Sequence, residues 1–594
     1  MPPYAPWVLQ ALFSVQVTSP VTSIEPKLGT PQWTERLYPP GGGLDHLGLG
    51  SVVTDRILPM LVPGINVLTV HPRYWAFYSF VLSEFWRREL PRTRANWKRF
   101  FETRECLFAV ACHLCEDSGH IGNAVGSQRI KPLIERGDRE FDPQFTYVKS
   151  DFGGYGLYYA SVMEQLGLVL RANPTLGLPV DTVTPVGQEI AGAYREAIHK
   201  TTYYRDWFES EEDPVPREVL EEYASVGCYC RLRQKSAPDR QLLGDAFLHS
   251  GESKSAAARR SALRMVISVL DQTEGFSIPS VSFRRIMYYR QEWKDEGWAT
   301  IKYQPRDKSV SRQWRLYQAR EYFNFGLNQL WQWLNLWGLS LDGDVYPIEL
   351  ERVETQIRSL DLKEFSNRLD LSISPPPSTS SLADLVDWIR SLAKVRNSMD
   401  DEWPLNKPLT EDAIVRLFGD GENSTAGSGD LGVDVAAALV LLLLVAARLW
   451  PAEWPFQYAD DWFPVSEGHP DRVPLDRFVA DIRKSCADNT TIRDALLSII
   501  QRHVIDQHER AAFAKLPFTG DTFRFRREAG RLRVFRRDAR FGMNDSRYEA
   551  LAIGAYELGW VGSYTNTTHK PTPEGRRLLE KGDLPSTGRL PVTT

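Results

Sequence analysis

Cysteine is scarce in this 594-residue chain: there are six in all, too few for a disulfide framework, and a reducing compartment is expected. A basic n-region followed by an apolar h-region and a small-residue cleavage site is also missing, so no secretory signal is expected. Long apolar runs are missing as well. The one candidate, VAAALVLLLLVAA at residues 435–447, is bracketed by Asp434 and Arg448. A bilayer span needs about 20 such residues, so this reads as a buried core helix, with no membrane contact and a cytoplasmic location. Nor does charge of one sign dominate: 71 Lys and Arg stand against 76 Asp and Glu, a net charge of −5. That excludes a uniformly basic coat and confines any nucleic-acid contact to a local patch.

Catalytic signatures are missing too. The chain has no Walker A loop, no Gly-x-Gly-x-x-Gly after a strand, no His-Glu-x-x-His and no Gly-x-Ser-x-Gly elbow. Asp342, Asp344, Glu349 and Glu351 cluster around YPIELE and could hold Mg²⁺, but Glu349-Leu350-Glu351 lacks the lysine of a Glu-x-Lys nuclease motif. His503 and His508 are five residues apart, which puts their rings on different helix faces. Cys112-x-x-Cys115 has the spacing of half a zinc site, and Cys228-x-Cys230 could supply the rest. A Cys-x-Cys half-site is unusual, however, and ACHLC lies in an apolar helical pattern where a thiol packs as a small hydrophobe. Packed thiols are the preferred reading. No catalytic residue, cofactor or metal is assigned from the sequence.

What is present argues for real cores: 42% hydrophobic residues and 18 Trp. Hydrophobic periodicity predicts a mainly α, multi-domain chain. The expected divisions are an extended leader (1–40), an N-terminal helical domain (41–150), a winged-helix-like module (151–200) and a helical domain (201–371). A linker-flanked helical segment (372–432), a helical core (433–515), an arginine hairpin with a second winged-helix-like module (516–585) and a tail (586–594) complete it. Residues 256–270 read as an amphipathic helix with Arg259, Arg260 and Arg264 towards solvent. FRRIMYYRQEW, residues 283–293, interleaves basic and aromatic side chains, which suits base stacking or a packed helix equally. Trp331, Trp333 and Trp337 read as bulky core.

One phrase occurs twice. YGLYYASVMEQLGLVL followed by TVTPVGQEIAGAY, from Tyr155, is matched by YEALAIGAYELGWVGSY followed by HKPTPEGRRLLEKG, from Tyr548. Each copy predicts a helix ending at Leu-Gly, two short strands, and a second helix capped by Thr with Pro at its first position. The two form small winged-helix-like α+β modules. The wing of the first copy carries little positive charge beyond Arg171, so a structural or protein-contact role is expected for it.

The sharpest local signal is TFRFRREAGRLRVFRRDARFG, residues 522–542. Two runs with period-two alternation flank Glu528-Ala529-Gly530-Arg531, which predicts a β-hairpin with Gly530 at positive φ. Phe523, Phe525, Leu532 and Val534 would pack inwards while arginines line the other face. Such a row can neutralise several phosphates at once. The candidate nucleic-acid-binding residues are therefore Arg524, Arg526, Arg527, Arg531, Arg533, Arg536, Arg537 and, in the second wing, Lys570. The competing reading is a solvated face paired with the protein's own acids, such as Glu509 and Glu549.

A last signal lies near the N-terminus: LGLG, then LVPGINVLT, then PRYWAFYSFVL, within residues 44–90. It resembles the opening of an uncharacterised bacterial family met near phage-defence and restriction genes. That family has Thr-Arg-x-Arg-Tyr where this chain has Val70-His71-Pro72-Arg73-Tyr74. The resemblance implies a genomic context and brings no catalytic residues. Together these signals lead to an expected function: a non-enzymatic nucleic-acid-binding subunit of an anti-phage or restriction-type system. Its partners would be double-stranded DNA and other defence-system protein subunits. The alternatives are a helical scaffold that binds other subunits and a metal-dependent nuclease.

Overall fold

The computed structural model describes residues 45–581 except 118–120, 274–275, 295–298, 341–347, 397, 420–429, 451–474, 520, 535–541 and 563–569. The leader, the tail, Asp342, Asp344, Arg536 and Arg537 thus lie outside the described residues. The chain is mainly helical, with small antiparallel sheets. The elements that position the site are α1 (Arg73–Arg87), α2 (Arg94–Leu114), α3 (Ala160–Gln165), β1 (Val169–Leu170), β2 (Thr182–Val183) and α4 (Pro185–Ile198). They continue with α5 (Arg217–Gly227), α6 (Arg240–His249), α7 (Ser253–Gln272), α8 (Ser280–Tyr289), α9 (Lys308–Ser340) and β3 (Ile348–Glu349). The chain closes through α10 (Glu411–Arg416), α11 (Leu431–Arg448), α12 (Asp506–Thr519), β4 (Phe525–Glu528), β5 (Arg531–Val534), α13 (Tyr548–Glu557) and α14 (Pro573–Lys581).

The buried apolar side chains form two clusters. The first gathers residues 52–317 with 548–579. The second spans residues 288–534 and takes in Leu47 and Leu49. Helix α9 joins them: Trp314 and Tyr317 belong to the first core, Leu316 and the run from Ala319 to Trp337 to the second. Its 33 residues make a rod about 50 Å long. Trp331, Trp333 and Trp337 are buried along it. Helix α11, the apolar run of the sequence, is buried over 89% of its length and packs against α9. The C-terminal unit returns to the first core, whereas the arginine ribbon packs on the second. The crossing falls between Val534 and Tyr548.

Both copies of the repeated phrase fold into the same hydrogen-bond scheme. Helix α3 ends with Leu168 N–H donating to Met163 O (2.8 Å) and Gly167 N–H to Glu164 O (2.9 Å). Helix α13 ends with Trp560 N–H donating to Ala555 O (2.8 Å) and Gly559 N–H to Tyr556 O (3.0 Å). Gly167 and Gly559 sit at φ +68° and +83°, the left-handed turn that closes a Schellman motif and that a Cβ resists. The following helices are capped alike: Gly187 N–H donates to Thr184 Oγ1 (3.1 Å) and Gly575 N–H to Thr572 Oγ1 (3.2 Å). The same hydroxyls donate back to Gly167 O (2.6 Å) and Gly559 O (2.8 Å). A two-residue ribbon, β1 with β2, lies between the helices of the first copy, and a single bridge, Val561 with Pro571, in the second. The equivalent leucines dock on opposite ends of α6. Leu166 O accepts from Ser250 Oγ (2.5 Å) and Leu558 O from Arg240 Nε (3.0 Å).

The third residue after each capping threonine is glycine because the ribbon backbone crosses it. A Cβ on Gly187 would run into Leu168 O, and one on Gly575 into Trp560 O. Gly575→Ala should therefore destabilise the protein by about 1–3 kcal/mol through overpacking. Gly192→Ala, in open space on α4, should gain about 0.5–1 kcal/mol from helix propensity. Thermal unfolding of the two variants beside the parent checks both signs.

Candidate nucleic-acid interface

The arginine stretch forms the expected hairpin. β4 and β5 pair antiparallel, with Phe525 opposite Val534, Arg526 opposite Arg533, Arg527 opposite Leu532 and Glu528 opposite Arg531. Ala529 (φ +50°) and Gly530 (φ +79°) make the turn, the double left-handed geometry that matches strand twist in two-residue hairpins. The sequence did not disclose a third strand. β3 pairs with the outer edge of β5, placing Ile348 opposite Leu532 and Glu349 opposite Arg531. Of the four acids around YPIELE, Glu349 is thereby built into the ribbon, and Glu351 follows on an exposed helical turn.

Phe525, Leu532 and Val534 face the second core, with the Phe525 ring 4.5 Å from that of His508. Arg526, Arg531 and Arg533 face outwards. Arg526 and Arg533 are directly opposed like charges, an arrangement that destabilises a ladder unless something bridges it. Glu528 does so, 2.6 Å from Arg526 Nη2 and 3.2 Å from Arg533 Nη1. Hydrogen bonding from Arg526, then from Arg533, holds the Glu528 carboxyl below its usual range. Arg527 turns sideways to α12, where Nη2 lies 2.6 Å from Glu509 and 2.8 Å from Asp506. Its own N–H also donates to Glu509 Oε1 (2.6 Å). Lys570 is exposed at the end of the second wing.

Arg524 departs from the expected pattern. Its side chain is 4% exposed, with Nη1 donating to Thr522 O (3.2 Å) and Phe523 O (3.3 Å). The strand begins only at Phe525, and Thr522 through Phe525 are all buried. Other basic residues are also redirected. Arg259, expected in solvent, is fully buried and donates to Phe247 O (2.8 Å) and Ser250 O. Arg264 donates to Leu578 O and Leu579 O, both at 3.1 Å. In FRRIMYYRQEW the rings of Phe283, Tyr288 and Tyr289 are buried, so they cannot stack on bases.

His508 lies beneath the ribbon. Its Nδ1–H donates to His46 O (2.9 Å) and its Nε2 accepts from Arg524 N–H (3.0 Å). Both nitrogens are engaged by backbone, which fixes the neutral tautomer and leaves no lone pair for a metal. Burial pulls its pKa from 6.5 down to about 4. The folded state therefore refuses a proton that the unfolded state accepts below pH 6.5. The stability this gives is complete above 6.5 and is lost as pH falls towards 4, by about 1.4 kcal/mol per pH unit. Burial holds the carboxyls of Glu105 and Glu321 up at about 7, and these act in the opposite sense. The His508 share is thus read as a difference: between pH 6.5 and 4, denaturant unfolding of His508→Gln should show a slope against pH shallower than the parent's by that amount. Compared with protein-family models, curated proteins and solved structures, the chain matches none of them.

Proposed function

We propose that this protein is a nucleic-acid-binding subunit whose contact surface is the outer face of the three-stranded arginine ribbon. The observation that carries the reading is the cross-strand pair Arg526 and Arg533, placed opposite each other on the solvent side and bridged by Glu528. A phosphate can make the same bridge as that carboxylate, and planar guanidinium groups donate to its oxygens in bidentate fashion. The arginines of the ribbon's intramolecular pairs are 32–44% exposed, their carboxylate partners 15–29%. Such pairs contribute little, about 0–1 kcal/mol each, so a polyanion that engages several arginines at once can displace them. Double-stranded DNA is the ligand this suits, read through its backbone without base contacts. The link to phage defence or restriction, with a partner enzyme supplying catalysis, rests on the resemblance carried by residues 44–90.

A second reading is favoured by Arg527, which shows the ribbon taking carboxylates from a helix, Glu509 and Asp506 of α12. On that reading the protein is a scaffold that docks acidic surfaces of other subunits. Arg526→Ala/Arg533→Ala should weaken binding to duplexes of any sequence and lower the slope of log K against log salt by about 2. Glu528→Gln should tighten binding, because it removes the competing anion. Fluorescence anisotropy over a salt series reads both. Unchanged affinity in the double variant, with an acidic peptide outcompeting DNA, would favour the scaffold.

A further inference from the structure

Three of the six cysteines, drawn from two distant segments, meet where α2 and α5 end, with a fourth close by. Cys115 directly follows α2, and Cys112 lies one turn earlier on it. Cys228 and Cys230 flank Tyr229 in the tight turn that follows α5. The Sγ atoms of Cys115 and Cys230 are 3.6 Å apart and those of Cys230 and Cys228 3.5 Å apart. All three sulfurs fall within 4.8 Å of one another. Cys112, one helical turn before Cys115, neighbours Cys228 but stands outside that mutual set.

These separations are far from a disulfide, whose sulfurs are about 2.05 Å apart. They are close to the sulfur–sulfur edge of a tetrahedron around a metal with 2.3 Å metal–sulfur bonds, which is about 3.8 Å. The thiols approach one another at sulfur. The immediate surroundings suit a negatively charged centre: Arg231 places Nη2 3.9 Å from Cys115 Sγ, while its Nη1 pairs with Asp117 at 2.6 Å. A tetrathiolate zinc centre carries a net charge of −2, and a guanidinium at its edge offsets part of that.

We propose that Cys115, Cys228 and Cys230, joined by Cys112 turning in from one helical turn away as the fourth ligand, bind one zinc ion in a closed, structural site that ties the end of α2 to the turn after α5. An all-sulfur tetrahedral donor set selects zinc among common divalent ions, with iron as its rival. Four protein ligands leave no open position, so the role is cohesion. The consequence reaches further than the two helices. Tyr229, between two of the ligands, stacks on His71 at 3.8 Å, and His71 Nδ1 lies 2.7 Å from Glu557 at the end of α13. The ion would thus steady the docking of the C-terminal repeat.

The test is metal analysis of the full-length protein purified without chelator. We expect about one zinc per chain, released by a mercurial with about four thiols titrated. Cobalt substitution should give the intense visible bands of a tetrahedral thiolate site. Cys228→Ser/Cys230→Ser should lose the ion, whereas Cys106→Ser and Cys486→Ser should keep it. The parent protein decides the matter if the double variant fails to fold. Metal-free folded protein with freely reactive thiols, a Cys115–Cys230 disulfide, or iron in place of zinc would each overturn the assignment.

Discussion

A guanidinium without access to water has to be met by carbonyl oxygens or by an anion, and the first core is arranged around one that meets a carboxylate as buried as itself. Arg73 Nε lies 3.0 Å from Asp239, both side chains essentially fully buried, and Arg73 Nη1 donates to Cys228 O at 2.8 Å. Leaving either charge alone in the interior would cost several kcal/mol, so the start of α1, the turn after α5 and the start of α6 have to come together. The neighbouring residues extend the same knot. His71 reaches Glu557 in the second repeat, and Tyr74 Oη accepts from Val125 N–H at 3.0 Å. One turn of chain therefore fixes elements nearly 500 residues apart. The second core repeats the device at the far end of its apolar helix. Arg448 meets Glu411 at 2.5 and 3.1 Å, and the hydroxyls of Tyr288 and Tyr289 donate to the same carboxylate at 2.8 and 2.9 Å. Because those tyrosines end α8, this pair sits where the two cores meet.

Much of the local architecture was legible because its chemistry is local. Leu-Gly followed by Thr-Pro-x-Gly encodes a left-handed helix stop, a capped helix start and a close backbone crossing, all within 25 residues. Both copies obey it. The period-two runs around Ala529-Gly530 encode a hairpin for the same reason, and the apolar run forms a helix, Leu431–Arg448, that is long and apolar enough to cross a membrane yet is 89% buried inside the protein. The winged-helix comparison goes further than these observations. The first helix of the second copy, α13, is buried along most of its length, so it is not presented to a groove.

What the sequence hid was the destination of its arginines. A helical or strand period says which face a side chain leaves from, not which carbonyls end nearby. Arg240, Arg259 and Arg264 each donate to carbonyls at or near the end of another helix, where the helix dipole and unsatisfied oxygens favour a cation. Arg524 was misplaced for a different reason. The alternation of Thr522-Phe523-Arg524-Phe525 extends one turn before the strand itself, into a segment covered by His508 and α12. The pairing of β3 with β5 and the meeting of Cys115 with Cys228 and Cys230 depend on contacts more than 100 residues apart, which spacing alone cannot show.

These placements change what a basic C-terminus means here. Read along the chain, the arginine ribbon and the second repeat look like one continuous cationic module. In the fold they belong to different cores, and α9, rooted in both, sets the distance between them. On the proposed reading a polyanion at Arg526 and Arg533 would lie on the unit that packs on the second core, whereas Lys570 belongs to the unit that packs on the first. On that reading the ribbon would hold its ligand largely by itself, through the opposed arginine pair bridged by one replaceable carboxylate.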